Sequence, residues 1–266
     1  MNIKHTLVAL AIGLTSTLSF AVDKIEVSDE FDGKIQTLIG PRAQTIEYFK
    51  TDHGLIGVAM VAKQTFKKHV FYTNTDADFL MSGMLFDIDS NTQINPIITN
   101  QVKVTLPKTM TDELTALSTV TDGTGEDVVY AFVDVNCPYC HRIHESLVNV
   151  DRTKVRIEWV LVGFLGQRSI STANAILNEA DNSLALAHLE QAMSKQNVPE
   201  NNGVLGKLAR EQSESFLRTM QVSGVPFVMS NIQGDWSMDR GLPNAQFFAA
   251  LPQNQASNES ALVASE

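Results

Sequence analysis

A pair of cysteines separated by two residues, directly after an apolar run, constrains the fold of this chain more than any other feature. The span Asp127 to Asp134 is almost continuously apolar, as is typical of a central strand buried on both faces of a sheet. The motif Cys137-Pro138-Tyr139-Cys140 follows, and residues 142–150 have the pattern of a helix. The order strand, Cys-x-x-Cys, helix predicts that the cysteines lie where a helix begins.

The two cysteines of such a motif have different chemical roles. At a helix N-terminus, unpaired backbone N–H groups and the positive end of the helix dipole favour a thiolate at Cys137. Cys140, one turn further on, lies within disulfide-bonding reach. We expect Cys137 to be exposed and to attack a substrate disulfide, and Cys140 to be sheltered and to release the mixed disulfide. Pro138 suits the first turn because its missing N–H would be unpaired there.

The chain has only these two cysteines in 266 residues, and a bridge across so short a loop gains almost no chain entropy. A redox role is therefore favoured, although two alternatives use the same residues. The motif continues as Cys-x-x-Cys-His with His141, which matches haem attachment, and His141 or His144 could complete a zinc site. No second cysteine pair completes such a zinc site, and a motif directly after a buried strand fits redox chemistry better than haem. We expect no cofactor and no metal.

The first 21 residues have the pattern of a secretory signal peptide. Lys4 precedes an apolar run over residues 6–14, and small residues lead to Ala21, where we expect cleavage. The run is shorter than the ~20 residues that a membrane-spanning helix needs, so we expect no membrane insertion of the mature chain. The formal charge of −10 also argues against nucleic acid as a partner, because nucleic-acid binding needs a basic footprint.

Residues 22–103 form a first block without chemistry-bearing clusters. We expect a helix near Glu30 to Ile39 and strands over Leu55–Ala62, His69–Thr73 and Phe79–Asp87, which together form a small antiparallel sheet. This block contains no cysteine. About 80 residues form only a marginal core, so association with a second copy is the expected role.

Residues 104–125 are interpreted as a linker helix followed by a joint. Met110, Leu114 and Leu117 recur at helical spacing behind a capping pair, Thr109 and Asp112. Residues 121–125 contain two glycines and are expected to form a flexible joint.

The second block, residues 126–252, has the pattern of an α/β unit built around the cysteine motif. We expect a second buried strand over 155–162, largely helical structure over 171–220, a hairpin of 226–229 with 236–239, and a closing helix over 243–251 that starts with Pro. Residues 253–266 are polar and are expected to be a disordered tail.

Several of these segments together resemble the DsbC/DsbG family, and the DsbG type most. The resemblance rests on residues 155–163, the Cys-Pro-Tyr-Cys motif, Gly241-Leu242-Pro243, and two segments of the first block, 57–60 and 81–84. It implies an α+β architecture with a small cystatin-like N-terminal dimerisation domain, a linker helix, and a C-terminal thioredoxin fold with a helical insertion. The implied assembly is a V-shaped homodimer.

The resemblance also implies the activity and the partners. It implies a periplasmic disulfide isomerase or reductase that acts on exported proteins with non-native disulfides or oxidised cysteines. The membrane reductase DsbD is the implied electron donor, and a chaperone role accompanies the redox role. A chain whose only cysteines are the active-site pair fits the DsbG type, because DsbC carries a further structural disulfide.

Two residues distant in sequence complete the implied site. Pro226 fits the family's cis-proline, which lies across from the active-site sulfurs and offers backbone groups to an extended substrate. The family usually has Thr before this proline, whereas this chain has Val225, as DsbA-type oxidases do. A DsbA-like oxidase is therefore one alternative, and a redox-independent holdase chaperone is another. Asp134 matches a family acid, but a strand-end turn explains it equally well.

Overall fold

The structure, a computed structural model, describes residues 22–198 and 203–254. The predicted signal peptide and residues 255–266 of the predicted tail lie outside the described residues. Among the described helices, none combines the length and apolarity needed to cross a bilayer. The tail prediction is wrong for its first two residues, because Gln253 forms a β-bridge with Val150 and the N–H of Asn254 donates to the Asn149 carbonyl at 2.9 Å.

The first block is built on an antiparallel five-stranded sheet in the order β1-β2-β3-β4-β5. Its strands are β1 Asp23–Ile25, β2 Ala43–Lys50, β3 Ile56–Ala62, β4 Lys68–Thr73 and β5 Met81–Ser82. Helix α1, Asp29–Ile39, begins at the N-cap Ser28, whose hydroxyl accepts from the Phe31 N–H, and Phe31 packs edge-on against Tyr48. Sequence patterns predicted α1, β3 and β4 and missed β2.

The predicted strand Phe79–Asp87 is wrong as a single element. Only β5 and the short β6, Phe86–Asp87, are extended, and β6 pairs with β7, Thr92–Gln93, before helix α2, Ile94–Gln101. Four apolar side chains of this segment are exposed, namely Phe79, Met81, Met84 and Phe86, with Met84 the most exposed of them at 69%. Leu80 and Leu85 are partly buried and pack against two different core clusters, so the segment does not present one continuous face to one core.

Helix α3, Lys108–Thr115, confirms the predicted linker helix but not its cap. It follows Pro107, and no side chain accepts a hydrogen bond from its first turn. Asp112 forms an ion pair with Lys108 instead, at 2.7 Å, so the predicted capping pair of Thr109 and Asp112 is wrong. The helix is anchored by Leu114, which is fully buried.

The predicted flexible joint is also wrong, because residues 120–122 form β8, Val120–Asp122, an edge strand of the second sheet. Gly125 lies directly against the chain, and a Cβ there would lie 2.1 Å from the Lys154 carbonyl oxygen. Glycine is needed here for a close backbone approach rather than for flexibility.

The second sheet has the order β12-β11-β9-β10-β8. Its remaining strands are β9 Asp127–Val133, β10 Val155–Leu161, β11 Phe227–Ile232 and β12 Asp235–Arg240, and its helices are α4 Pro138–Leu147, α5 Gln167–Leu177, α6 Asn182–Met193, α7 Val204–Thr219 and α8 Ala245–Ala250. Among the described strands of this sheet, only β9 and β10 are parallel neighbours. These elements confirm the two buried strands, the helical insertion and the hairpin. The closing helix begins after Asn244, whose side chain accepts from the Phe247 N–H, rather than at Pro243.

Alternate residues of β9 face two separate cores. Val129 and Ala131 belong to a cluster with the inner face of α4, whereas Tyr130 and Phe132 belong to a cluster that also contains side chains of the first block. The first-block members include Phe49, Val61, Tyr72 and Ile98. The two blocks therefore share one hydrophobic core.

Polar contacts of Asp235 also connect the two blocks. Its carboxylate accepts from Lys68 at 2.5 Å and from the N–H of Val104 at 2.8 Å. The N–H of Trp236 donates to the Val104 carbonyl at 3.1 Å. The start of β12 is thus tied to the first block and to the segment that leaves it.

Candidate active site

The cysteine motif lies at the start of α4, as the sequence predicts. Cys137 is the N-cap residue, and Pro138 is the first residue of the helix. The Cys137 carbonyl accepts from the N–H groups of Cys140 at 3.0 Å and His141 at 3.1 Å. The N–H of Cys137 donates to the Asp134 carbonyl at 2.9 Å, so the turn after β9 leads the chain directly into the helix.

The expected exposure of Cys137 is wrong. Cys137 is 6% exposed and Cys140 is fully buried, and both are free thiols in the structure. The Cys137 sulfur lies 3.8 Å from the Val225 carbonyl oxygen, on the segment before β11. Sequence spacing on the helix placed Cys137 correctly but could not reveal this cover, because Val225 is 88 residues away in the chain.

Burial separates the two thiols chemically. Desolvation raises the pKa of the Cys140 thiol far above its ordinary value of 9.0. A hydrogen bond from the Asp134 backbone lowers the Cys140 pKa and so partly offsets desolvation. The neighbouring Cys137 side chain raises the Cys140 pKa further. Burial therefore disfavours the thiolate form of Cys140.

The segment opposite the cysteines carries the predicted proline. The Val225–Pro226 peptide bond is cis. The Pro226 carbonyl accepts from the Gly241 N–H at 2.8 Å, which joins the ends of β11 and β12. Val225 is half-buried and packs against both cores of the second block, while Tyr139 is 56% exposed on α4. The structure thus brings Val225 and Pro226 beside Cys137.

The loop before the motif is held by polar contacts that sequence reasoning largely missed. Asp134 is fully buried, and its carboxylate accepts from the N–H groups of Asn136 and Leu165, both at 2.9 Å. Asn136 donates from its side chain to the Ser169 hydroxyl at 2.9 Å. Asp134 therefore joins the loops after the parallel strands β9 and β10. Its position at the end of an apolar strand was the one sequence signal for this role.

The two histidines near the motif have other partners. His141 Nε2 lies 2.7 Å from the Val135 carbonyl oxygen, and His144 Nε2 lies 2.9 Å from the Glu190 carboxylate. Within residues 22–198 and 203–254, no three or more His, Cys, Asp or Glu side chains are grouped so that they could hold a metal ion.

Comparison with known proteins supports the same interpretation. The sequence profile of the thioredoxin-like domain matches residues 116–253. The chain is 24% identical to the thiol:disulfide interchange protein DsbG of Pseudomonas aeruginosa over 258 residues, which cover 94% of this chain and 98% of that protein.

Two further relatives match shorter stretches. DsbG of Escherichia coli is 27% identical over 135 residues, 49% of this chain and 54% of that protein. DsbC of Dickeya dadantii is 23% identical over 100 residues, 38% of this chain and 40% of that protein. With its α+β architecture of an N-terminal domain and a thioredoxin fold, the chain belongs to the thioredoxin-like family and, within it, to the DsbC/DsbG family of thiol:disulfide interchange proteins.

Proposed function

We propose that this protein is a periplasmic disulfide isomerase or reductase of the DsbG type. The observation that carries the proposal is the asymmetry of the cysteine pair at the start of α4. Cys140 is fully buried with a raised pKa, and Cys137 lies at the helix N-cap, where N–H groups stabilise a thiolate. One sulfur is thus suited to attack and the other to resolve.

The reaction begins when the Cys137 thiolate attacks one sulfur of a client disulfide. The client S–S bond breaks, a Cys137–client bond forms, and the leaving client thiolate takes up a proton. In isomerisation, another client thiolate attacks the mixed disulfide and releases Cys137. In reduction, Cys140 loses its proton and attacks Cys137, which releases a reduced client and leaves a Cys137–Cys140 disulfide. The membrane reductase DsbD is the proposed donor that restores the dithiol.

The segment opposite the cysteines supports a role in client binding. Pro226 precedes β11, and the Val225 carbonyl faces the Cys137 sulfur. A client held as an extended strand beside this segment would present its cysteine to Cys137 through backbone hydrogen bonds. Tyr139, two residues after Cys137, is 56% exposed. Pro138, Tyr139, Val225 and Pro226 are therefore proposed to tune the site and to bind clients.

We assign the formation of a homodimer to the first block. The segment of residues 79–88 exposes Phe79, Met81, Met84, Phe86 and Ile88. Such a run of large exposed apolar side chains marks an interaction surface. Residues 22–103 are proposed to form the homodimer, and residues 104–115 to connect them to a catalytic domain that includes β8.

The thiol state of the cysteines in the periplasm tests the choice between reductase and oxidase. Cells are quenched with acid, free thiols are alkylated with a mass tag, and the protein is separated by size. A reduced pool of Cys137 and Cys140 is the expected result. A fully oxidised pool that becomes reduced only when clients accumulate would favour the DsbA-like oxidase, for which Val225 is the motivating residue.

A holdase chaperone is a second candidate, supported by apolar side chains around the cysteines. Tyr139 and Leu165 are each 56% exposed and Leu242 is 40% exposed. Leu165 is tied to Asp134 and Leu242 follows Gly241, so all three border the site. The Cys137→Ser protein should still suppress aggregation of a cysteine-free client if this role is real. Loss of suppression in that variant would argue against a separate chaperone role.

A further inference from the structure

A cavity of about 850 Å³ opens beside the cysteine motif, between the start of α4 and the helical insertion. Asn136 and His141 line it; Asn136 directly precedes Cys137, and the N–H of His141 donates to the Cys137 carbonyl. A smaller cavity of about 430 Å³ shares Asn136, His141 and Lys195 and adds Arg142. Both cavities therefore adjoin the segment that carries Cys137, whose own side chain is 6% exposed.

The walls of these cavities are positively charged on a protein whose formal charge is −10. Arg168 and Lys195 line the larger cavity, which has no Asp or Glu among its lining residues. The smaller cavity has one acid, Glu145. The larger cavity thus concentrates cations where the rest of the surface is acidic.

Among the described residues, no carboxylate forms an ion pair with Arg168, Lys195 or Arg142, whereas nine other Lys and Arg side chains have such a partner. Arg142 lies over the ring of Tyr139, with its guanidinium carbon 5.3 Å from the ring centroid. By contrast, Arg152 pairs with an acid at 2.7 Å and Arg210 with one at 2.6 Å. The cations beside the cysteines are therefore free to bind an external anion.

The remaining lining groups suit carboxylate oxygens rather than an apolar ligand. The side chains that can donate hydrogen bonds are Asn136, Gln167, Ser171, Thr172, Gln196 and Asn197. Only Val135, Ala192 and Val198 are apolar. Hydroxyl and amide donors combined with Arg and Lys form the usual environment of a bound carboxylate.

We propose that this cationic pocket binds the carboxylates of a small acidic disulfide, one sulfur of which is attacked by the Cys137 thiolate. The volume lies within the range of small-molecule sites. A disulfide suits the pocket because Asn136 and His141, which lie on either side of Cys137 in the sequence, both line it. The inference rests on the proposed function, and it adds a substrate class to the protein clients. Oxidised glutathione, a disulfide with four carboxylates, is the probe.

The reaction of this probe balances without a further reagent. The Cys137 thiolate attacks one glutathione sulfur, the glutathione S–S bond breaks, and the first glutathione thiolate leaves and takes up a proton. Cys140 then loses its proton and attacks Cys137, which releases the second glutathione. The protein dithiol is oxidised to the disulfide, and one oxidised glutathione is reduced to two thiols.

The test compares oxidised glutathione with the neutral bis(2-hydroxyethyl) disulfide as oxidants of the reduced full-length protein. Their second-order rate constants are measured by acid quench and alkylation. The variants are Arg168→Gln, the double variant with Lys195→Gln, and the control Arg42→Gln, which removes the same charge from the exposed surface of the first block. Circular dichroism verifies that each variant is folded.

We expect the rate with glutathione to fall about threefold in Arg168→Gln and about tenfold in the double variant. The rate with the neutral disulfide and the Arg42→Gln control should be unchanged. At 1 M salt, where the Debye length is about 3 Å, the wild-type preference for glutathione should disappear. Equal decreases in rate with both disulfides, or no decrease with either, would overturn the proposal that the pocket binds carboxylates. A wild-type protein that reacts with neither disulfide would refute the proposed function itself.

Discussion

The two sheets of this protein differ in direction, and the difference decides where chemistry can occur. The first sheet is antiparallel throughout, whereas the second contains one parallel pair, β9 and β10. The carboxyl ends of parallel strands meet at one edge, and the loops after β9 and β10 are joined there through Asp134 and Leu165. Cys137 follows directly. The first sheet has no comparable edge and carries no cysteine.

The comparison also shows that the blocks are not independent. Tyr130 and Phe132 of the catalytic sheet share a core with Phe49 and Tyr72 of the first sheet. We therefore expect the first block to support the fold of the second as well as to provide the association surface.

The largest expected effect is the loss of redox activity when the second block loses its attacking cysteine. Cys137→Ser should abolish disulfide reduction and isomerisation, because a serine hydroxyl cannot form the mixed disulfide. Turnover is measured with a scrambled multi-disulfide protein, and the stability of the variant should be nearly unchanged. Residual turnover above a tenth of wild type would mean that the attacking group lies elsewhere.

The second expected effect is loss of the dimer after a substitution in the first block. Ile88→Asp places a charge in the exposed apolar segment of residues 79–88, where Ile88 is 90% exposed, so the monomer fold should be retained. Burying an unpaired carboxylate at an interface is costly, so the dimer should dissociate. Sedimentation at micromolar concentration should give a dimer for wild type and a monomer for the variant. A wild-type monomer, or a dimeric variant, would contradict the assignment of this segment.

A third experiment measures the link between the sheets. Asp235→Ala removes a carboxylate that holds both Lys68 and the Val104 N–H, so the free energy of unfolding should fall by about 1–3 kcal/mol. The control Asp112→Ala breaks an exposed ion pair with Lys108 and should cost less than about 0.5 kcal/mol. Urea unfolding measures both. Equal costs would show that the junction contributes no more than a surface ion pair.

The fourth prediction concerns the pH dependence of Cys140. Burial disfavours its thiolate, so the pKa lies above the ordinary 9.0, and the thiolate fraction stays low until the pH exceeds that value. In the Cys137→Ser protein, alkylation of Cys140 should be at least about tenfold slower than in urea at pH 8 and should rise through pH 9 without a plateau. A plateau below pH 9 would contradict the raised pKa.

The smallest effect concerns Val225, where Thr is nearly isosteric and adds a hydroxyl beside the sulfurs. Val225→Thr should leave stability unchanged. A hydrogen bond to the Cys137 sulfur should shift the reduction potential by up to about 30 mV, which corresponds to ~1.4 kcal/mol for two electrons. The potential is measured against a glutathione or dithiothreitol buffer. An unchanged potential and an unchanged rate of reduction by DsbD would show that the departure from the family pattern is functionally silent.

Sequence patterns predicted the parts of the fold that repeat along the chain. The sequence signals were strong for the buried strands β9 and β10 and for the helix after the cysteines, because each signal is a pattern within one short segment. Strand β8 was missed because Val120–Asp122 is short and polar and is stabilised by pairing with β10, far along the chain. Its neighbouring glycines therefore suggested a joint.

Sequence patterns alone predicted only the part of the candidate site that lies at the start of α4. The spacing of Cys137 and Cys140 indicated the chemistry, and the family resemblance indicated Pro226. The cover over Cys137 and the cationic pocket could not be predicted, because they join segments 30 to 90 residues apart. Arg168 and Lys195 carry no local signal that distinguishes them from other surface cations.

Mass spectrometry of trapped mixed disulfides tests the central claim most directly. Reduced Cys140→Ala and Cys137→Ala proteins are each incubated at pH 7 with a cysteine-containing client in disulfide form. The account predicts a stable adduct on Cys137 in the first variant and almost none in the second, because the buried Cys140 thiol stays protonated. Adducts of similar yield in both variants, or an adduct on Cys140 alone, would contradict the assignment of Cys137 as the attacking sulfur.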